Sequence, residues 1–276
     1  MKTTTLLLST VLAARLSIAG AAQFTESTIT EIIKDVNVIP ASTTTSSPAT
    51  LNQLVKAPDM VRTGADSRTE LTAPDKTITR VGANTVFSFD TKERVLNLQK
   101  GSLLFHSPKR IGGGTIKSGG ASAAVLGTTL VVSATPDGGF KVILLEGHGR
   151  VVLPDHRSAN LRAGQMVYVL PGDKGFSGVL EINLGKLVSG SLLVTGFSHE
   201  LPSAQLIQEA VNAQNRRIAK GSLEDTGLSA DNFAREHKVD NGLGALDDNT
   251  YSTLTIPFFQ KQRGLNGKPF GLPPQQ

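Results

Sequence analysis

Short runs of alternating apolar and polar residues dominate the chain from about residue 54 to residue 171. Val86-Phe87-Ser88-Phe89 and Val95-Leu96-Asn97-Leu98 have the two-residue period of strands with one buried face. Comparable runs recur roughly every 8–12 residues, separated by turn sequences that are rich in Gly, Pro, Asn and Asp. Because no long helical period interrupts them, the pattern argues against an α/β sheet with crossover helices.

The pattern therefore predicts an all-β domain. We expect a jelly-roll or double-stranded β-helix-like sandwich with a C-terminal helical extension, and a short β-solenoid is the alternative, since short strands spaced by glycines fit both. A strand-like segment at 29–38 precedes the main series. The main predicted strands are 60–62, 68–72, 78–81, 86–89, 95–98, 102–105, 114–117, 123–134, 141–146, 150–153 and 165–169.

Two amphipathic segments follow the predicted strands. The segment 184–194 has a helical apolar period, although Gly185 and Gly190 weaken it as a helix. The segment 203–220 is a stronger helix, with Gly221 in position to end it. Its apolar face predicts docking onto the β-domain, and docking onto a partner is the alternative.

The first residues resemble an export signal. Lys2 is followed by a short apolar run at 6–14, and Ala19-Gly20-Ala21 fits the small residues at a cleavage site, so we expect a mature chain that begins at Ala22 or Gln23. An N-terminal helix of a cytosolic domain is the alternative. No later apolar run is long enough for a membrane span. The expected location is periplasmic or secreted.

These patterns divide the chain into four parts. We expect a signal peptide at 1–22, a β-domain at 23–180 and a helical extension at 181–221. A polar and flexible tail is expected at 222–276, and a Ser/Thr-rich loop lies at 40–50 within the β-domain.

Composition removes several classes of function. The 276 residues include no Cys, which excludes disulfides, thiol nucleophiles and thiolate-bound metals. The formal charge of +5 falls to +3 without residues 1–22, because that segment holds two of the 28 basic residues and none of the 23 acidic ones. The basic residues are dispersed along the sequence, so a nucleic-acid partner is not expected.

The sequence offers no catalytic set. A G-x-S-x-G nucleophile motif is absent, and the glycine-rich stretch 112–118 lacks the spacing of a phosphate-binding loop. The five histidines are not spaced as metal ligands; they are His106, His148, His156, His199 and His237. We therefore expect no enzyme activity, no bound metal and no cofactor.

Six segments, in order along the chain, share glycines at turns with aliphatic residues between them. They are Asp59-Met-Val-Arg-Thr-Gly-Ala-Asp-Ser-Arg-Thr-Glu-Leu-Thr72, Asp75-Lys-Thr-Ile-Thr-Arg-Val-Gly-Ala-Asn-Thr85, Leu96 to Leu104, Ala123 to Thr129, Val142 to Gly147 and Leu161 to Gln165. Together they resemble the FecR domain. Thr69 and Lys76 depart from the family pattern at surface or turn positions.

The resemblance implies an architecture and a role. The shared glycines are expected to be structural; they are Gly64, Gly82, Gly101, Gly127, Gly147 and Gly164. FecR-type domains are best known from envelope signalling, where they act with a cytoplasmic region and a membrane span that we do not recognise in this sequence. The resemblance therefore implies a non-catalytic, exported binding or scaffolding module of the bacterial envelope, with an envelope protein or polysaccharide as its partner.

Two alternatives stay open. The stretch from Leu145 to Pro154, followed by that from Leu161 to Gly172, is similar to the second half of a cupin, which suggests a sugar-binding or metal-dependent enzyme domain. Cupin metal sites use an H-x-H pair that is missing here. A structural cell-surface component, tethered through the Ser/Thr loop and the polar tail, is the other alternative.

Overall fold

Two β-sheets packed face to face and three helices make up the described part of the protein in the computed structural model. The structure describes residues 25–43, 45–91, 94–169 and 175–227. The expected signal peptide, and the expected tail from residue 228 onward, lie outside these residues.

The strands are β1 (Glu26–Ile33), β2 (Val36–Ile39), β3 (Ser47–Pro48), β4 (Leu54–Lys56), β5 (Met60–Thr63), β6 (Arg68–Thr72), β7 (Ile78–Val81), β8 (Val86–Phe89), β9 (Val95–His106), β10 (Gly114–Ser118), β11 (Ala121–Val125), β12 (Thr129–Ala134), β13 (Phe140–Glu146), β14 (His148–Val152), β15 (Ser158–Arg162), β16 (Gln165–Val169) and β17 (Leu180–Glu181). The helices are α1 (Leu184–Gly190), α2 (Leu192–Thr195) and α3 (Ala204–Ala219).

The long strand β9 belongs to both sheets. Sheet A has the order β4-β1-β6-β7-β9-β12-β13-β16-β17, and sheet B has the order β3-β2-β5-β8-β9-β10-β11-β14-β15. Neighbouring strands are antiparallel except β9 and β10, which are parallel. Successive strands pass between the sheets mostly in pairs, so the predicted all-β sandwich with a C-terminal helical extension is confirmed.

The main core lies between the two sheets. Alternate residues of each strand point into it, and the largest are Phe87 and Phe89 from sheet B and Phe105 and Phe140 from sheet A. Phe87 and Phe89 meet edge to face, with ring centroids 5.4 Å apart. The alternation in the sequence therefore corresponds to one buried face per strand.

A second core covers the other face of sheet A. Leu104, Val131 and Ile143 from the sheet pack against side chains that include Leu187 of α1 and Ile207 of α3. The helical extension thus docks in cis on the β-domain, and the middle of sheet A is buried on both faces. Sheet B has no helix on its outer face among the residues that the structure describes.

Some predicted elements divide differently in the structure. The segments 95–98 and 102–105 are one strand, β9, because Gly101 lets the strand turn from sheet B into sheet A without ending. The segment 123–134 is two strands, β11 and β12, which lie in different sheets. The segment 184–194 forms two helices that are separated at Ser191.

Arg80 fastens the helical extension to sheet A. Its Nη1 donates to Val194 O at 2.9 Å, and its Nη2 donates to His199 O. Its Nε donates to Glu70 Oε2 at 2.8 Å, and its guanidinium lies 4.5 Å from the ring centroid of Phe197. One buried cation therefore binds both the sheet and the segment between α2 and α3.

Candidate binding surface

A buried polar network joins α3 to the outer face of sheet A. Thr129 Oγ1 lies 2.9 Å from His106 Nδ1, 2.9 Å from Glu146 Oε1 and 2.8 Å from Ser203 Oγ. The three sheet residues are neighbours in register on β9, β12 and β13, and Ser203 precedes α3. Each of the four is at most 5% exposed, so the network connects elements and does not present a surface to solutes.

Burial shifts the titration of the groups on this face. It lowers the pKa of His106 to about 4 and the pKa of Lys141 to about 8. It also raises the pKa of the Glu146 carboxyl, against the hydrogen bond from Thr129 and the charge of Lys109, which both act to lower it. The covered face of sheet A thus disfavours charge on these residues.

The outer face of sheet B is different, because it is polar and open. Its inward residues fill the main core, and its outward residues carry hydroxyl, amide and basic side chains. The outward polar residues are Arg62, Ser88, Asn97, Gln99, Lys100, Thr115, Lys117, Ser122, His148, Arg150, Ser158, Asn160 and Arg162. A solute can therefore reach a broad hydrogen-bonding surface on this side of the sandwich.

The strand segments of sheet B contain no Asp or Glu. Their basic residues are all exposed; they are Arg62, Lys100, Lys117, His148, Arg150 and Arg162. The strand segments of sheet A, in contrast, include Glu26, Glu31, Glu70, Glu146 and Glu181. These basic residues are scattered in the sequence. The fold places them together on the strands of sheet B, whose charged side chains are all positive.

Four of these cations follow one path across the sheet, and we call Arg62, Lys100, Lys117 and Arg150 the basic row. Arg62 and Lys100 both lie opposite Val86, on either side of β8. Ideal strand geometry places successive members of the row about 10–12 Å apart at their Cα atoms. Within the part of the chain that the structure describes, none of the four forms an ion pair.

Two of the basic residues on this face, one inside the row and one outside it, have local side-chain partners. Arg150 Nη2 donates to Ser158 Oγ at 2.8 Å, which orients the guanidinium without neutralising it. Arg162, at the edge strand β15, pairs with Glu181 at 2.9 Å. Arg162 is therefore partly compensated, and the uncompensated charge lies toward the middle of the sheet.

A groove of about 390 Å³ opens beside the basic row. Its lining includes Asn97, Lys117, Gly119, Thr135 and Gly138. Gly119 lies in the turn between β10 and β11, and a Cβ atom there would be 2.6 Å from Gly138 Cα, so only glycine lets the two turns meet. The groove has both polar and apolar walls, and Lys117 belongs both to it and to the row.

The six glycines that carry the family resemblance lie at positions of tight backbone geometry. Four have a positive φ; they are Gly101, Gly127, Gly147 and Gly164. Gly64 and Gly82 have no positive φ, but a Cβ atom there would meet Asp35 and Ser102, respectively. Gly101 lies inside β9 and not in a turn, which differs from the expectation.

The sequence alone does not indicate this candidate surface. Each basic residue stands alone in its strand, and only the strand pairing brings the members of the row together. The histidines do not meet either: His106 is buried, whereas His148, His156 and His199 are exposed and His237 lies outside the described residues. In the described part of the chain, no group of three His, Asp or Glu residues is placed to hold a metal ion.

Comparisons with known proteins found one family model that matches part of the β-sandwich. The family model described as FecR protein matches residues 59–148, which run from β5 to the start of β14. No curated protein matches the chain. Among the described residues, no helix has the length and apolar character of a membrane span.

Two solved structures resemble part of the fold. Both are crystal structures of a predicted anti-sigma factor from Parabacteroides distasonis, with 20% and 18% sequence identity and a TM-score of 0.38 each. Each likeness covers 44% of this chain and 58% of that chain. The FecR match covers 90 of the 276 residues, in strands of both sheets, and these residues are similar to a FecR domain.

Proposed function

We propose that this chain is a non-catalytic binding module of the bacterial cell envelope and that it binds its partner through the outer face of sheet B. The observation that carries the proposal is the exposed face with basic residues and no acidic residue in its strands. The FecR domain supports a regulatory or binding role, since FecR-type domains are known from envelope signalling.

The two faces of the sandwich have different tasks in this proposal. The helical extension covers sheet A, so its outer face contributes to stability. Sheet B keeps side chains with open hydrogen-bonding capacity and positive charge, which attract a partner of negative charge over distances of about 10 Å at moderate salt. Export places the module in the envelope, and the expected cleavage before Ala22 or Gln23 belongs to the proposal.

A retention experiment tests the binding role. The purified chain is immobilised and exposed to a cell-envelope extract, next to a variant with Lys117→Glu and Arg150→Glu. We expect one envelope component to be retained by the original chain and lost by the variant, since charge reversal repels an anionic partner. The control carries Lys56→Glu and Lys220→Glu, which reverse two exposed charges outside sheet B.

Two outcomes would contradict parts of the proposal. Equal retention by the original chain and the sheet B variant would contradict a role for this face. N-terminal sequencing of the protein recovered from the envelope fraction checks the export part, with a start at Ala22 or Gln23 expected. A start at Met1 would contradict cleavage.

A further inference from the structure

We infer that the ligand of the sheet B face is an acidic polysaccharide, a chain of sugars that carries carboxylate groups. The inference rests on the proposed function, because it names the partner class of the same face. Three features support it: the spacing of the cations, the chemistry of the side chains around them and the groove beside Lys117.

The basic row fits an extended anionic chain. Lys117 on β10 and Arg150 on β14 are separated by two strand spacings and two residues, about 12 Å in ideal geometry. The path from Arg62 through Lys100 to these two residues spans six strands of sheet B, from β5 to β14, in one direction. A compact anion would contact one member of the row, whereas an extended polyanion contacts several at once.

The side chains between the cations favour sugars over an acidic protein. Ser88, Asn97 and Ser122, together with Asn160 beside Arg150 on the edge strand, present hydroxyl and amide groups, which can donate to and accept from sugar hydroxyls. Protein interfaces depend on buried aromatic or aliphatic anchors. The two aromatic residues in the strands of sheet B, Phe87 and Phe89, both point into the core, so the face offers no aromatic anchor to a protein.

The same absence of exposed rings predicts how a polysaccharide would bind. Without aromatic stacking, a neutral sugar chain would gain only exchangeable hydrogen bonds. Ion pairs between the basic row and carboxylates add the net attraction, and salt weakens them because the row is exposed. The face should therefore distinguish acidic from neutral polysaccharides.

The groove beside Lys117 gives the face one recessed subsite. Asn97, Lys117 and Ser122 lie side by side on β9, β10 and β11, in register. Gly119 and Thr135 belong to the adjoining wall. A sugar ring that inserts its edge here would place a carboxylate beside Lys117 while the polymer continues toward Arg150.

Calorimetric titration with defined polymers tests the inference. Polygalacturonate is the acidic polysaccharide probe, and dextran is the neutral one. The variant with Lys117→Gln and Arg150→Gln removes two charges from the row, and the matched control with Lys56→Gln and Lys220→Gln removes two charges elsewhere. We expect polygalacturonate to bind, the row variant to bind at least tenfold more weakly, the control to bind within twofold of the original chain and dextran to give no heat of binding.

Other polyanions separate the partner classes. Poly-L-glutamate represents an acidic protein segment, and duplex DNA represents a nucleic acid. Binding of either with an affinity equal to or above that of polygalacturonate would overturn the inference. So would an equal loss of polygalacturonate affinity in the row variant and in the control.

Failure of the inference can be told apart from failure of the proposed function. If no polysaccharide probe binds while the envelope extract still yields a component that depends on Lys117 and Arg150, the inference falls and the binding role stands. If the extract yields no such component either, the inference and the proposed binding role are both wrong. Circular dichroism of each variant confirms that the sandwich is intact, which is expected because all four substituted residues are exposed.

Discussion

Arg80 Nε donates to Glu70 Oε2 at 2.8 Å in the interior of the protein, where the arginine side chain is fully buried and the glutamate side chain is 11% exposed. The same guanidinium binds main-chain oxygens of Val194 and His199, which lie outside the segment matched by the FecR model. One arginine side chain, paired with Glu70, therefore links residues 59–148 to the helical extension through its hydrogen bonds, and the two should unfold together.

Glu70→Gln tests this link. The change keeps the shape of the side chain but leaves the buried guanidinium without its counter-charge, so we expect a loss of about 3 kcal/mol in the free energy of unfolding. Urea denaturation measures it. Asp66→Asn removes the charge from the exposed pair with Lys34, whose side chains are 66% and 62% exposed, and should cost less than about 1 kcal/mol. Equal losses in the two variants would contradict the link.

Gly101→Ala tests the crossing of β9 from sheet B to sheet A. Gly101 has φ +91°, and a Cβ atom there would lie 2.5 Å from Thr85 Cα, so we expect backbone strain and a clash that together cost about 3–5 kcal/mol. Gly221→Ala is the control, because Gly221 has φ +67° and no atom within 4 Å of the added Cβ. The control should cost about 1–2 kcal/mol. If Gly101→Ala and Gly221→Ala lowered the free energy of unfolding by the same amount, the contact with Thr85 would be unimportant.

Because the pKa of His106 is lowered by burial, we expect the protein to lose stability in weak acid. Its pKa is about 4 in the folded protein and 6.5 in the unfolded chain, so the unfolded state binds more protons between these values. Its contribution is therefore complete above pH 6.5 and is lost as the pH falls toward 4, by about 3 kcal/mol in total. Denaturation at pH 7 and pH 5 measures most of this change.

His106→Asn isolates the effect. Asparagine can keep a nitrogen near Thr129 but does not titrate in this range, so the difference in unfolding free energy between pH 7 and pH 5 should shrink by about 2 kcal/mol. Glu146, whose pKa is raised, contributes in the opposite direction and is present in both proteins. An unchanged pH dependence in the variant would show that another group is responsible.

Ile207→Ala tests the docking of α3 on sheet A. Ile207 is 2% exposed in the second core, and its truncation should cost about 2–4 kcal/mol through lost burial and a residual cavity. Gln208→Ala, at the exposed neighbouring position, should change stability by no more than about 0.5 kcal/mol. Thermal and urea denaturation measure both. A neutral Ile207→Ala would mean that the helix contributes little to the fold.

Local sequence predicted many of the strands with high accuracy. Four predicted segments, 68–72, 78–81, 86–89 and 165–169, have the same bounds in the structure, since turn residues mark both of their ends. The edge strand β15 was not predicted. Its sequence is largely polar with a single core residue, Leu161, so alternation gives almost no signal there.

The candidate surface could not be predicted in the same way. Lys117 and Arg150 are 33 positions apart, and neither lies in a cluster of basic residues in the sequence. Their proximity depends on the pairing of β10 with β11 and of β11 with β14. Likewise, nothing near Arg80 in the sequence indicates that it binds His199, 119 positions away.

The sequence by itself determined the all-β class, several of the turns and the resemblance to FecR domains. These properties follow from period, turn chemistry and short motifs, which act within a few residues. The tertiary structure decided which sheet each strand joins, which face the helical extension covers and where the positive charge gathers. These depend on long-range strand pairing, because a residue's electrostatic neighbours are set by the strands beside it and not by the residues before and after it.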